Sequence, residues 1–196
     1  MSSNCSDVIA EFLEVAIHQI LYCRNVYPRE LFERRQLYQV PVHMSCHPEL
    51  NSYIVDVISS VKVLLLKTQL DKVAVVLSNK DDKPVERFIF SFVLYDENAV
   101  SEDWHLLRVE MALRDFLLKI STCESTLGAA HEGCTFAVEA YTSESGALAL
   151  QSSQEEFPWV CISQQLSSIQ PKILPLKSAR TEAFQMQLYV EQGEMQ

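Results

Sequence analysis

Residues able to bind a metal or act as a nucleophile crowd together most closely in the run Val40-Pro41-Val42-His43-Met44-Ser45-Cys46-His47-Pro48-Glu49-Leu50-Asn51. His43, Cys46 and His47 are two imidazoles and a thiol, the donor types of a zinc site, but such a site needs further ligands at matched spacing. The six cysteines (Cys5, Cys23, Cys46, Cys123, Cys134 and Cys161) contain no C-x-x-C pair that could supply them. Cys46 beside two histidines also has the elements of a thiolate nucleophile with an imidazole base. No family-type signature surrounds it and no oxyanion-hole loop is evident, so catalysis is not expected. The glycine-dependent phosphate loops G-x-x-x-x-G-K and G-x-G-x-x-G are absent, as is H-E-x-x-H, and four glycines leave little room for such loops. The chain is therefore expected to be no enzyme, with no metal and no cofactor. The run serves local strand-to-helix packing instead.

The elements that position this run follow from its prolines. Pro41 favours an extended Val40 and removes one ladder donor, which suits an edge strand over Val40 to Met44; Pro48 sits where a first helical turn tolerates a missing N–H. Upstream, Ser6 is placed to cap a helix with Ile9, Phe12, Leu13, Ala16, Ile20 and Val26 near one face, ending before Pro28. From Pro48, the apolar positions Leu50, Tyr53, Ile54, Val57, Ile58, Val61, Leu64 and Leu65 recur at helical spacing. A third helix opens at Ser101 with Glu102 and Asp103 in its first turn, then presents Leu106, Leu107, Met111, Leu113, Phe116, Leu117 and Ile120. Between these helices, Val73 to Leu77 and Val85 to Phe92 flank a turn-rich segment and predict a hairpin; Cys134 to Tyr141 predicts another strand. The architecture expected is α+β, with three main helices on a mostly antiparallel sheet.

Composition narrows the function further. A length of 196 residues, 48% hydrophobic, is enough for one well-buried domain. The net charge of −10, from 16 basic and 26 acidic side chains, opposes a large phosphate-neutralising surface, so direct nucleic-acid binding is not expected. Arg29, Arg34 and Arg35 form a small basic cluster, read as a helix end or loop, or as a partner-facing patch. Glu11, Glu14 and His18 interrupt the first apolar stretch and argue against a membrane span, and unpaired cysteines suit a reducing compartment. From Ser143 to Glu156 the sequence turns to Ser, Glu, Gln and Gly, followed by short apolar islands at Phe157 to Ile162, Ile173 to Leu176 and Phe184 to Val190. In the last island Met186, Leu188 and Val190 alternate with Gln187, Tyr189 and Glu191, as in a strand with one buried face. Such a segment could wrap around the core without forming a second domain.

Several runs, in order along almost the whole chain, resemble the HORMA-domain accessory subunits of the translesion DNA polymerase zeta. They are Glu11 to Ala16, Val26-Tyr27-Pro28, Val40 to Asn51, Leu118 to Ser121, Gly133 to Phe136, Phe157-Pro158-Trp159, Pro175-Leu176-Lys177 and Met186 to Glu191. The resemblance implies one HORMA domain over 1–196, with a core of about 7–142 and a C-terminal safety belt of about 143–196. It implies a nuclear, non-catalytic adaptor whose belt closes over an extended, proline-containing peptide of the polymerase catalytic subunit. Tyr53 and Trp159 match the aromatic positions that grip the peptide; by spacing alone Tyr53 completes the core stripe of its helix. Cys161 falls in the same groove, where the family can carry a larger aliphatic residue. Ile173, Gln187, Leu188 and Tyr189 match the surface for the C-terminal domain of the scaffold Y-family polymerase. Arg114, with Arg34, matches the self-association face, which implies a homodimer or HORMA heterodimer; an AAA+ remodelling ATPase is a further implied partner. The alternative is a spindle-checkpoint or double-strand-break-repair HORMA adaptor with a different client peptide.

Overall fold

A computed structural model describes residues 5–67, 69–95, 102–142, 157–160 and 171–193, without side-chain detail for 102–106. Helix α1 (Cys5–Cys23) runs through the centre, with Ile9, Phe12, Leu13, Ala16 and Ile20 completely buried. Ser6 does not cap it among the described residues: the helix already includes Cys5, and Ser6 is buried in the first turn. The helix ends at Cys23, and the left-handed Asn25 (φ 49°) turns the chain, so Val26 lies beyond the helix. Phe12 meets Phe90 and Phe116 edge-on at 5.9 and 6.0 Å, which wedges α1 between the sheet and helix α3 (Glu102–Ser121).

Helix α2 (Pro48–Leu66) starts as its sequence requires, with an extended His47 and Pro48 in the first turn. Its stripe of Leu50, Ile54, Val57, Ile58, Val61, Leu64 and Leu65 is buried, and each such side chain contributes about 1.5–3 kcal/mol. Tyr53 lies at the stripe's margin and is half-buried. In α3, Leu113, Phe116, Leu117 and Ile120 are core, but Leu107 and Met111 are 58% and 60% exposed. The helical period carries those two onto another side of α3, together with Arg114 and the exposed Leu118.

Two strands that, among the described residues, pair with each other and no third strand, β1 (Phe32–Leu37) and β2 (Val40–Ser45), turn through Tyr38 and Gln39. Both turn residues have positive φ (48° and 60°), the geometry of a tight two-residue hairpin. Strand β1 corrects the expectation for Arg34 and Arg35, which stand exposed on a strand and not at a helix end or in a loop. Its polar sequence carries no apolar alternation that would announce it. The outward edge of β2 is closed by α1. His43 N–H donates to Gln19 Oε1 at 2.7 Å, Ser45 N–H donates to His18 Nδ1 at 3.2 Å, and Pro41 has no N–H to satisfy.

The main sheet has the order β5-β3-β4-β7-β6 with every pair antiparallel. Strands β3 (Leu70–Ser78) and β4 (Pro84–Leu94) form the expected hairpin, whose turn is held by Asn79 Oδ1 accepting from the Asp81 and Lys83 N–H groups. After α3, a short α4 (Glu124–Leu127) ends at Gly128, which takes φ 82° at no steric cost. Strand β5 (Thr135–Thr142) is one edge of the sheet, and the hairpin β6 (Lys172–Arg180) and β7 (Phe184–Gln192) is the other. Val73, Val75, Leu77, Phe88, Phe90, Phe92, Met186, Leu188 and Val190 join the helices in one core. Ala74, Val76 and Ile89, with Tyr141 and Tyr189, form a smaller cluster on the opposite face.

Beside that core lies a buried polar hub. Arg24 donates to both carboxylate oxygens of Glu86 at 2.8 and 2.5 Å, and to the carbonyls of Gly128 and Ala129 at 3.0 and 3.2 Å. Gln192, at the end of β7, donates to Glu86 Oε1 at 3.3 Å and to the Leu127 carbonyl at 3.0 Å.

Candidate functional site

The order of the main sheet forces the chain between β5 and β6 to pass from one edge to the other. Four strand spacings of about 4.8 Å make that crossing roughly 19 Å wide. Phe157 and Trp159 of this connection lie against α2, where half-buried aromatic rings meet in a row. Tyr27, beyond the end of α1, meets Phe136 of β5 at 6.2 Å, and Phe136 meets Tyr53 of α2 at 5.6 Å. Tyr53 in turn meets Phe157 at 5.5 Å, and Phe157 meets Trp159 at 5.1 Å. All four contacts are edge-to-face, the arrangement the ring quadrupole prefers. Burial raises the Tyr27 and Tyr53 phenol pKa values, and for Tyr53 a hydrogen bond with the Val138 backbone opposes the shift. Both phenols are neutral near pH 7.

Tyr53 and Trp159 are thus brought together through Phe157. Trp159 is anchored to α2, its indole Nε1–H donating to Ser60 Oγ at 2.7 Å. Cys161 lies outside the described residues. Three further members, Tyr27, Phe136 and Phe157, stand within sequence runs that carry the family resemblance, but spacing assigns them no role. Among the described residues β5 pairs with no strand but β3, and its outer edge, where the Val138 backbone meets the Tyr53 phenol, lies beside the aromatic row. A strand edge next to apolar rings suits an extended peptide, with backbone hydrogen bonds to the strand and apolar or proline side chains against the rings.

The opposite edge carries the second group. Gln187 and Tyr189 face away from the core, opposite Ser91 and Ile89 of β4. With Ile173, Pro175 and Lys177 they line an open groove of about 750 Å³, and Ile173 is 61% exposed. Leu188 lines the same groove but is only 1% exposed, because the two-residue strand period turns its side chain into the core. It supports this surface and presents almost nothing to a partner. Arg114 is exposed on α3, and Arg34 is exposed on β1.

The His43, Cys46 and His47 run has no common focus. His43 stacks on Tyr22 with ring centroids 3.6 Å apart, while Cys46 and His47 are exposed. Burial lowers the His43 pKa, as do the nearby guanidiniums of Arg34 and Arg29. Among the described residues no group of three or more His, Cys, Asp or Glu side chains could hold a metal ion, and no helix is long and apolar enough to cross a membrane.

A helical layer on an antiparallel sheet, with the C-terminal hairpin carried across to the far edge, is the arrangement of a known domain class. The family model described as HORMA domain matches residues 5–144, and the chain belongs to that family. Among its relatives is the human "Mitotic spindle assembly checkpoint protein MAD2B", 44% identical over 190 residues that cover 95% of this chain and 90% of the relative. Another is the "DNA polymerase zeta processivity subunit" of Arabidopsis thaliana, 34% identical over 191 residues, covering 97% and 86%. A chain of the "Crystal Structure of Mitotic Checkpoint Complex" shares the fold with a TM-score of 0.80 at 23% identity, covering 96% of this chain and 98% of that one.

Proposed function

We propose that this protein is a non-catalytic adaptor subunit of translesion DNA polymerase zeta. It holds a proline-containing peptide of the catalytic subunit between β5, α2 and the 157–160 segment. With the groove around Ile173, Gln187 and Tyr189 it recruits the C-terminal domain of the scaffold Y-family polymerase, and it works in the nucleus in DNA damage tolerance. The observation that carries this reading is the aromatic row from Tyr27 to Trp159, which spans the core and the crossing segment beside the outer edge of β5. The Arabidopsis relative, a polymerase zeta subunit by name, supports the choice of client.

The test is calorimetric titration with a synthetic proline-containing peptide from the polymerase zeta catalytic subunit of the same organism. Trp159→Ala is expected to weaken binding by about 2 kcal/mol or more, roughly 30-fold, as for a buried aromatic anchor. Unchanged affinity in a variant that is folded by circular dichroism would reject the site. The name of the human relative favours a second reading, a checkpoint adaptor with another client. Recovery of a cell-cycle regulator without the polymerase subunit, in purifications from damaged cells, would select it.

A further inference from the structure

Ser60 stands at a completely buried position of α2, between Val57 and Val61 of the apolar stripe. A buried hydroxyl costs free energy unless it is paired, and here it accepts the Trp159 indole N–H at 2.7 Å. The ring of Phe157, the other half-buried aromatic of the crossing segment, meets Tyr53 and Trp159 edge-to-face, contacts that tolerate sliding. Ring contacts fix how deep a segment lies; a short, directional hydrogen bond fixes where along the helix it lies.

We propose that Ser60 is the positioning residue of the crossing segment: its hydroxyl sets the register of Trp159 on α2, and so the span of the aromatic row over the peptide. This rests on the capture function proposed above and adds the device that holds the captured peptide in place. Ser60 need not touch the peptide. It acts through the indole, so its substitution changes how long a peptide is held, and the effect vanishes when the indole N–H is absent. The sequence signal is small, a serine in a stripe of Val, Ile and Leu, which reads as a neutral helix position until its partner is known.

The experiment is a double-mutant cycle on the dissociation rate of the same polymerase-derived peptide, fluorescently labelled and chased with unlabelled peptide. Ser60→Ala is expected to release it roughly 5- to 30-fold faster, the effect of leaving one buried donor unpaired. Ser60→Cys, a weaker acceptor of similar size, should fall between Ala and wild type. In a Trp159→Phe background, Ser60→Ala should change the rate less than 2-fold. Equal effects in both backgrounds mean that Ser60 acts through packing and overturn the proposal. A second readout needs no peptide: hydrogen exchange of the Trp159 indole N–H by NMR, in a Trp104→Phe background that leaves one indole signal. Protection in wild type that is lost in Ser60→Ala supports the positioning contact, even if the wild type captures no such peptide and the function proposed above fails. Equal, fast exchange in both proteins overturns it.

Discussion

Replacing Glu86 by Ala should be among the most damaging single changes available in this chain. Arg24 and Glu86 are each 1% exposed, and the guanidinium spends four hydrogen bonds on the carboxylate and two carbonyls. Removing Glu86 leaves the Gly128 and Ala129 carbonyls as partners, which can accept hydrogen bonds but cannot neutralise the charge. It also strips Gln192 of one of its two acceptors. Breaking a buried pair from one side costs about 3–5 kcal/mol, because the remaining ion stays desolvated and uncompensated. Replacing both partners by apolar residues of similar volume, Arg24→Met with Glu86→Leu, should cost much less, since no orphan charge remains. The assay is urea unfolding of both variants followed by circular dichroism, with the free energy extrapolated to water. If the double variant loses as much as Glu86→Ala, the loss comes from packing or from the carbonyl contacts, and the charge argument fails.

Three other outcomes are expected. Tyr189→Ala should weaken binding of the scaffold polymerase's C-terminal domain by about 1–3 kcal/mol while sparing peptide capture, because Tyr189 packs on the Ala74, Val76 and Ile89 cluster whereas Trp159 packs on the main core; a pull-down in which both partners are lost from a folded variant contradicts separate surfaces. Arg114→Ala should shift light-scattering mass toward monomer, since a guanidinium beside the exposed Leu107, Met111 and Leu118 can make two-fold contacts that Ala cannot; an unchanged distribution from a wild type that dimerises excludes the role. His18 has its pKa lowered from 6.5 to about 4 by burial and secondarily by Arg35, so the folded state binds fewer protons than the unfolded state between those values. Its stabilisation is present above pH 6.5 and is lost as pH falls toward 4, on the order of 3 kcal/mol in all; His18→Gln should flatten that part of the stability profile, and an unchanged slope refutes it.

What the sequence discloses depends on how local the cause is. Helix α2 was legible because a proline start and an unbroken apolar period both act within one segment, and the hairpin of β3 and β4 because turn residues sit between two apolar runs. Strand β1 was not legible: Phe-Glu-Arg-Arg-Gln-Leu has no buried face, and it is a strand because β2 offers a partner through a two-residue turn. Leu107 and Met111 looked like core for the opposite reason. Their apolar character is plain, but which side of α3 meets α1 is decided by packing. In the candidate site, Tyr53 and Trp159 were reachable through the family resemblance. Ser60 and Phe136 were not given roles, because their parts depend on a contact 99 residues away in sequence and on the edge position of β5.

The run from Val40 to Asn51 shows how specific a stretch of backbone chemistry can be. Its histidines and cysteine suggest a ligand set, yet the property that matters is the direction of three backbone positions. Pro41, His43 and Ser45 share the edge of β2 that faces α1, and each is resolved differently: no donor, an amide acceptor from Gln19, an imidazole acceptor from His18. A helix thus closes an edge that would otherwise invite another strand. At β5 the helix side chain that meets the backbone is an aromatic one: the Tyr53 phenol of α2 makes a hydrogen bond with Val138, and the aromatic row runs alongside. On β2 the helix takes successive outward N–H groups, whereas on β5 the phenol that meets Val138 belongs to the row against which, in the function proposed above, a peptide would lie.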